Sequence, residues 1–137
     1  MKVTVSGTDY RLNFTHFHVG PKAGIHNRTR GITVCTVERK IKGVTHEGWA
    51  VISPGEAVCG RKDSYHKETG RQFSLIRALR NKAVSKEVKG RLLDAYVKSA
   101  KNGRELCHDL RHRGFSNLYQ AVFWDEARIK HPMSSAA

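Results

Sequence analysis

The stretch AVCGRKDSYHKETGRQFSLIRALRNKA, residues 57–83, sets a dense series of cations beside a short apolar run. Arg61 and Lys62 lie in a polar connection, and Arg71, Arg77, Arg80, Asn81 and Lys82 lie in the segment that follows. Arginine presents a planar fork of five donors suited to phosphate or carboxylate, and asparagine adds a hydrogen bond. Lys22, His26, Asn27, Arg28 and Arg30 form a second basic cluster in the glycine-rich segment GPKAGIHNRTRG. Both groups have the chemistry to grip a phosphate backbone or an acidic protein surface. Each also has an ordinary reading, as a solvated helix face and as a mobile hairpin loop.

Eight histidines raise a second chemistry. His16 and His18 share one strand face, and His108 and His112 stand one helical turn apart. Each pair offers two metal ligands, and the four together would make a tetrahedral set. Such a set would suit a metal-dependent nuclease, but acids are sparse and none pair at useful spacing. The histidines otherwise read as core or surface residues of a basic protein. The chain has no phosphate-binding G-x-x-x-x-G-K-[ST] loop, no dinucleotide fingerprint and no G-x-S-x-G elbow. No catalytic residue and no cofactor is assigned.

Charge sets the class of partner. The 137 residues carry 25 Lys and Arg against 12 Asp and Glu, a net of +13 with pI near 10.1. That balance favours contact with a polyanion. The excess is uneven: residues 61–113 hold fifteen cations and six acids, residues 1–60 eight and four. Cys35, Cys59 and Cys107 are odd in number and widely spaced, which fits free thiols in a reducing compartment. No run of about 20 apolar residues is present, and the N-terminus lacks the apolar region of a signal peptide. The expected partners are nucleic acid, a nucleoprotein or an acidic protein surface, with no membrane; the oligomeric state is left open.

The elements that must position these groups change period near residue 60. KVTVS and YRLNFTHFHV alternate, the latter with Leu12, Phe14, His16 and His18 on one face and Arg11, Asn13, Thr15 and Phe17 on the other. ITVCTVERKI reads as a strand, and GWAVISPGEAVC as another in which Pro54-Gly55 signals a turn or bulge. From residue 63 the period is helical. Asp63 or Ser64 caps one start, and Thr69-x-x-Gln72 forms a second capping signal that turns free N–H groups toward any anion near Gly70. Leu75, Ile76, Leu79 and Ala83 then share a face, with Arg77, Arg80 and Asn81 opposite. A second helix spans about 86–101, with Val88, Leu92, Ala95, Tyr96 and Ser99 inward. A short one ends at Gly114, and a last one opens at Ser116. The expectation is a single α+β domain over 1–137: a small antiparallel sheet (1–60 mainly β), then three to four helices (63–131 mainly α) and a frayed tail (132–137).

The segment also resembles a local pattern in small uncharacterised accessory proteins of tailed bacteriophages. A strand ending near Cys is followed there by Lys-Asp and an aromatic, then Lys-x-x-Gly-Arg and a helix ending Arg-Ala-Leu. The matching positions are Cys59, Lys62, Asp63, Tyr65, Lys67, Gly70, Arg71, Leu75, Arg77, Ala78 and Leu79, about a sixth of the chain. The resemblance implies a phage provenance, hence the cytoplasm of an infected bacterium, and a non-catalytic protein that inhibits host machinery or defence, such as an anti-CRISPR. The expected function is therefore binding to nucleic acid, or to a complex that handles it, by occlusion. The alternative is the histidine-dependent nuclease.

Overall fold

The computed structural model of the chain describes residues 2–19, 30–41, 48–58, 67–99 and 105–123. Four antiparallel strands come first: β1 (Lys2–Val5), β2 (Thr8–Val19), β3 (Arg30–Ile41) and β4 (Gly48–Val58), adjacent in chain order. Four helices follow: α1 (Lys67–Leu79), α2 (Lys86–Lys98), α3 (His108–His112) and α4 (Leu118–Phe123). The expected α+β domain is the one observed. β1 and β2 are joined by Ser6 and Gly7, both at positive φ as the tight primed turn requires.

The helices cover one face of this meander. α1 lies across β3 and β4, α2 against β1 and β2, and α4 on both helices. Alternation in the strands supplies the inner face: Leu12, Cys35, Val37 and Ala57 are buried, while Asn13, Thr15, Phe17, Glu56 and Val58 on the other face are exposed. Helical period supplies the facing stripe of Leu75, Ile76, Leu79, Val88, Leu92 and Tyr96. Each fully buried leucine is worth about 2 kcal/mol of transfer free energy, so this one layer carries the fold. Leu93, fully buried, joins it beside Leu92. Ala95 is only half-buried, and Ser99 is exposed at the end of α2.

Pro54 and Gly55 do not break β4. Pro54 pairs with Thr36 on an edge strand, where its missing N–H leaves no gap in the sheet. Gly55 instead lets α1 lie down: a Cβ there would stand 2.2 Å from the Ser74 carbonyl oxygen and 2.3 Å from the Ala78 nitrogen. Ser53, one pleat earlier, donates its hydroxyl to the Ala78 carbonyl at 2.6 Å. The bulge falls two residues before the proline. Register jumps from Val37↔Ser53 to Glu38↔Val51, leaving Ile52 as the extra residue. It turns Ile52 toward the core and swings Val51 onto the outer face.

Two helix starts differ from expectation. Thr69 is the third residue of α1, so no capping box forms with Gln72. Gln72 is fully buried and reaches the segment before α3: its Nε2 donates to the Glu105 carbonyl (2.7 Å), and its Oε1 accepts from Cys107 N–H (2.8 Å). Gly70 is pressed on Thr33 of β3, a Cβ there meeting Oγ1 at 2.4 Å, and is no anion cradle. At α4 the cap is Asn117, whose Oδ1 accepts from Gln120 N–H at 2.9 Å, while Ser116 N–H is held by Gln120 Oε1. α2 starts under Ser85, whose hydroxyl accepts from Val88 N–H. Asp63 and Ser64 lie outside the described residues.

Candidate polyanion-binding surface

α1 stops at Leu79, so the expected row Arg77, Arg80 and Asn81 is not one helix face. Arg77, in the last turn, donates to the Glu56 carbonyl of β4 and lies over the Phe73 ring. Asn81 spends its side-chain oxygen on Ala83 N–H, closing the turn after the helix. Ala83 is exposed there and takes no part in the core stripe. Arg71 stands 3.6 Å from Glu68 on the same helix, a weak exposed pair. Lys22, Arg28, Arg61 and Lys62 lie outside the described residues, and Arg30 opens β3 with its side chain outside them.

Two basic groupings arise that cross element boundaries. In the first, Arg77 of α1 and Arg113 at the end of α3 both lie over Phe73, at 5.6 Å and 5.2 Å. In the second, the turn after α1 brings Arg80 to the first turns of α2. Lys89 there has its ammonium pushed below the usual lysine range, first by burial and then by the charges of Arg80 and Lys86. Lys89 was invisible as a site residue because i,i+3 spacing on α2 links it to Lys86 but not to Arg80.

Over the described residues 68–123 the helical layer holds ten Lys and Arg against five Asp and Glu. On the outer sheet face Lys2, Arg11 and Lys40 stand with Asp9, Glu38 and Glu56. There Arg11 donates to Glu38 at 2.8 and 3.0 Å and lies 4.1 Å over Trp49. Burial disfavours the charged form of Glu38, but hydrogen bonds from Thr36 and Arg11, the Arg11 charge and Asn13 outweigh it. The carboxyl is held below its ordinary 4.5. A group with a lowered folded pKa stabilises the fold above its unfolded pKa, and that contribution is lost as pH falls through the folded value. Glu38→Gln is therefore expected to cost about 1–2 kcal/mol at neutral pH, given that Arg11 still reaches water. Urea melts at several pH values should show the gap to wild type closing below about pH 4.

The remaining sequence candidates separate. His16 faces the helical layer and is bonded through Nδ1 to Thr33 Oγ1 at 2.9 Å. His18 lies in β2 with its side chain outside the described residues. His108 and His112 are exposed and stacked, ring centroids 6.0 Å apart. Among the described residues no three His, Cys, Asp or Glu side chains gather as metal ligands, so His16 does not join the α3 pair. Cys35 is fully buried, which pushes its thiol far up, with Glu38 adding to the effect; such a thiol is inert. Burial also raises Cys107. Tyr119 donates to Asp94 of α2, and that bond first, then burial, pushes the phenol up to about 12. No helix among the described residues is long and apolar enough to cross a membrane. Set against protein-family models, curated proteins and solved structures, the chain matches none.

Proposed function

We propose that the chain is a non-catalytic binding module whose helical layer grips nucleic acid and blocks it from the machinery that acts on it. The observation that supports this reading is the cationic excess of the helical layer, ten Lys and Arg against five Asp and Glu among its described residues, with Arg77 and Arg113 brought together over Phe73. A phosphate backbone neutralises such an excess while releasing its counterions. Arg80, Lys86 and Lys89, around the turn into α2, add a second cationic group on the same layer. The reading extends to Lys22, Arg28, Arg30, Arg61, Lys62, Arg71 and Lys82 as further contacts. On the bacteriophage resemblance, its setting is an infected bacterium and its effect is host takeover or anti-defence.

Titrating labelled duplex DNA, single-stranded DNA and RNA at several salt concentrations tests it. Binding should weaken steeply with salt, with a log–log slope near −0.9 per phosphate neutralised on duplex. Reversing Arg80, Lys86 and Lys89 to Glu should reduce the magnitude of that slope by about 2.7, three contacts' worth. A flat response to salt in the wild type overturns direct nucleic-acid binding. Recovery of a host protein from lysate with and without nuclease treatment would then identify an acidic protein as the target.

A further inference from the structure

The short helix α3 turns one residue inward and two histidines outward. Leu110 is buried in the core, while His108 and His112, at i and i+4, are exposed. At about 100° per residue the pair is centred about 180° from Leu110, straight out into solvent. Their rings stack with centroids 6.0 Å apart and planes 24° from parallel. Among the described residues neither ring makes a hydrogen bond or an ion pair, so a nitrogen of each is open to a ligand. Asp109 and Arg111 flank the pair and Arg113 ends the helix, all three exposed.

We propose that His108 and His112 chelate one late first-row divalent cation, such as zinc, through a nitrogen of each ring, clipping the single turn of α3. Imidazole is a ligand for zinc, nickel and copper, whereas magnesium and calcium take oxygen. Two histidines one turn apart on a helix can share one ion. Nitrogens each about 2.0 Å from an ion lie about 3 Å from one another. The rings reach that spacing by turning edge to edge and leaning slightly inward, rotations that exposed side chains can make. No third His, Cys, Asp or Glu completes the set among the described residues. The other coordination positions therefore go to water or to an oxygen of an anion. Local charge does not select the ion: Asp109 favours a cation, and Arg111 and Arg113 oppose it. Ligation selects it. The clip also supplies what the helix lacks, since α3 has five residues and no side-chain hydrogen bond at its Cys107 cap. It steadies the element that carries Arg113 to the Phe73 ring, and the ion needs no nucleic acid to bind.

Calorimetric titration of zinc into the full chain, with its eight imidazoles followed by nitrogen-15 NMR, tests this. The first equivalent should move the ring nitrogens of His108 and His112 ahead of the other six. His108→Gln and His112→Gln should each lower affinity about tenfold or more, and the double variant little further, because a chelate is lost with either arm. Free zinc at ten times its Kd should slow exchange of the Arg111 and Arg113 amides about tenfold in the wild type and in neither variant. Excess magnesium should not displace the zinc. Both sites are exposed, so melting temperatures without metal should match wild type. Zinc bound equally well by the double variant overturns the proposal and assigns the ion to other histidines. Losses that add between the two single variants overturn it too, as the mark of two independent sites. So does zinc uptake that leaves amide exchange in α3 unchanged.

Discussion

Gly55→Ala is expected to destabilise the protein by about 3 kcal/mol, lowering the melting temperature by about 10 °C. The position is an ordinary strand residue by its backbone, so strain in φ plays no part. The cost comes from the added methyl, which would stand 2.2 Å from Ser74 O, 2.3 Å from Ala78 N and 2.9 Å from Ala78 Cα. All three are helix backbone, and none can rotate aside. α1 would have to lift from β4, stretching the Ser53 hydroxyl bond to the Ala78 carbonyl and opening the layer that holds Leu75 and Leu79. Gly90→Ala is the control: nothing lies within 4 Å of a Cβ there, and the position is inside α2. Alanine at that position should stabilise by about 0.5–1 kcal/mol through helix propensity. Thermal melts of the pair check the sign of each; equal effects would mean that the close approach of α1 to β4 is not real.

Gln72→Leu is expected to cost about 2–4 kcal/mol, although it replaces a polar residue in the core with an apolar one of similar size. The buried amide is the partner of two backbone groups, the Glu105 carbonyl and the Cys107 N–H. Leucine would leave both without that partner, at about 1–3 kcal/mol for each buried group. The effect should be local as well as global. α3 has five residues and no side-chain bond at its Cys107 cap, so it is too short to persist alone. Hydrogen exchange should show the Cys107 amide losing protection before the amides of α2. Gln72→Glu should cost at least as much as Gln72→Leu, because a buried carboxylate would face the Glu105 carbonyl and the Glu68 carboxylate. A Leu variant as stable as wild type would remove the amide from its bridging role.

The residue patterns made the layers legible. Alternation in β2 separates Leu12, Phe14 and His16 from Arg11, Asn13, Thr15 and Phe17, and the exposed Phe17 lies where that alternation puts it. Helical spacing likewise sorted Leu75, Ile76 and Leu79 from Arg77. Patterns fail where a residue's partner is distant in sequence. Thr69-x-x-Gln72 has the letters of a capping box, but Gln72 is claimed by residues 33 and 35 positions away. Pro54-Gly55 has the letters of a turn, but the glycine answers to a helix crossing above it. Arg80 read as a companion of Arg77 because helical period was extended past Leu79, where the chain turns.

By itself, then, the sequence determined the α+β order, the two faces of β2, and a cationic excess concentrated after residue 60. These are local properties: side-chain period follows backbone geometry, and net charge is a sum. Only the tertiary structure decided which cations meet, bringing Arg77 of α1 and Arg113 after α3 over the one Phe73 ring. It also decided that Arg11 is matched by Glu38 on the opposite face of the sheet, next to the exposed Val51. Coulomb interaction and side-chain contact depend on distance through space, and that distance is set by how α1 and α2 pack on the sheet.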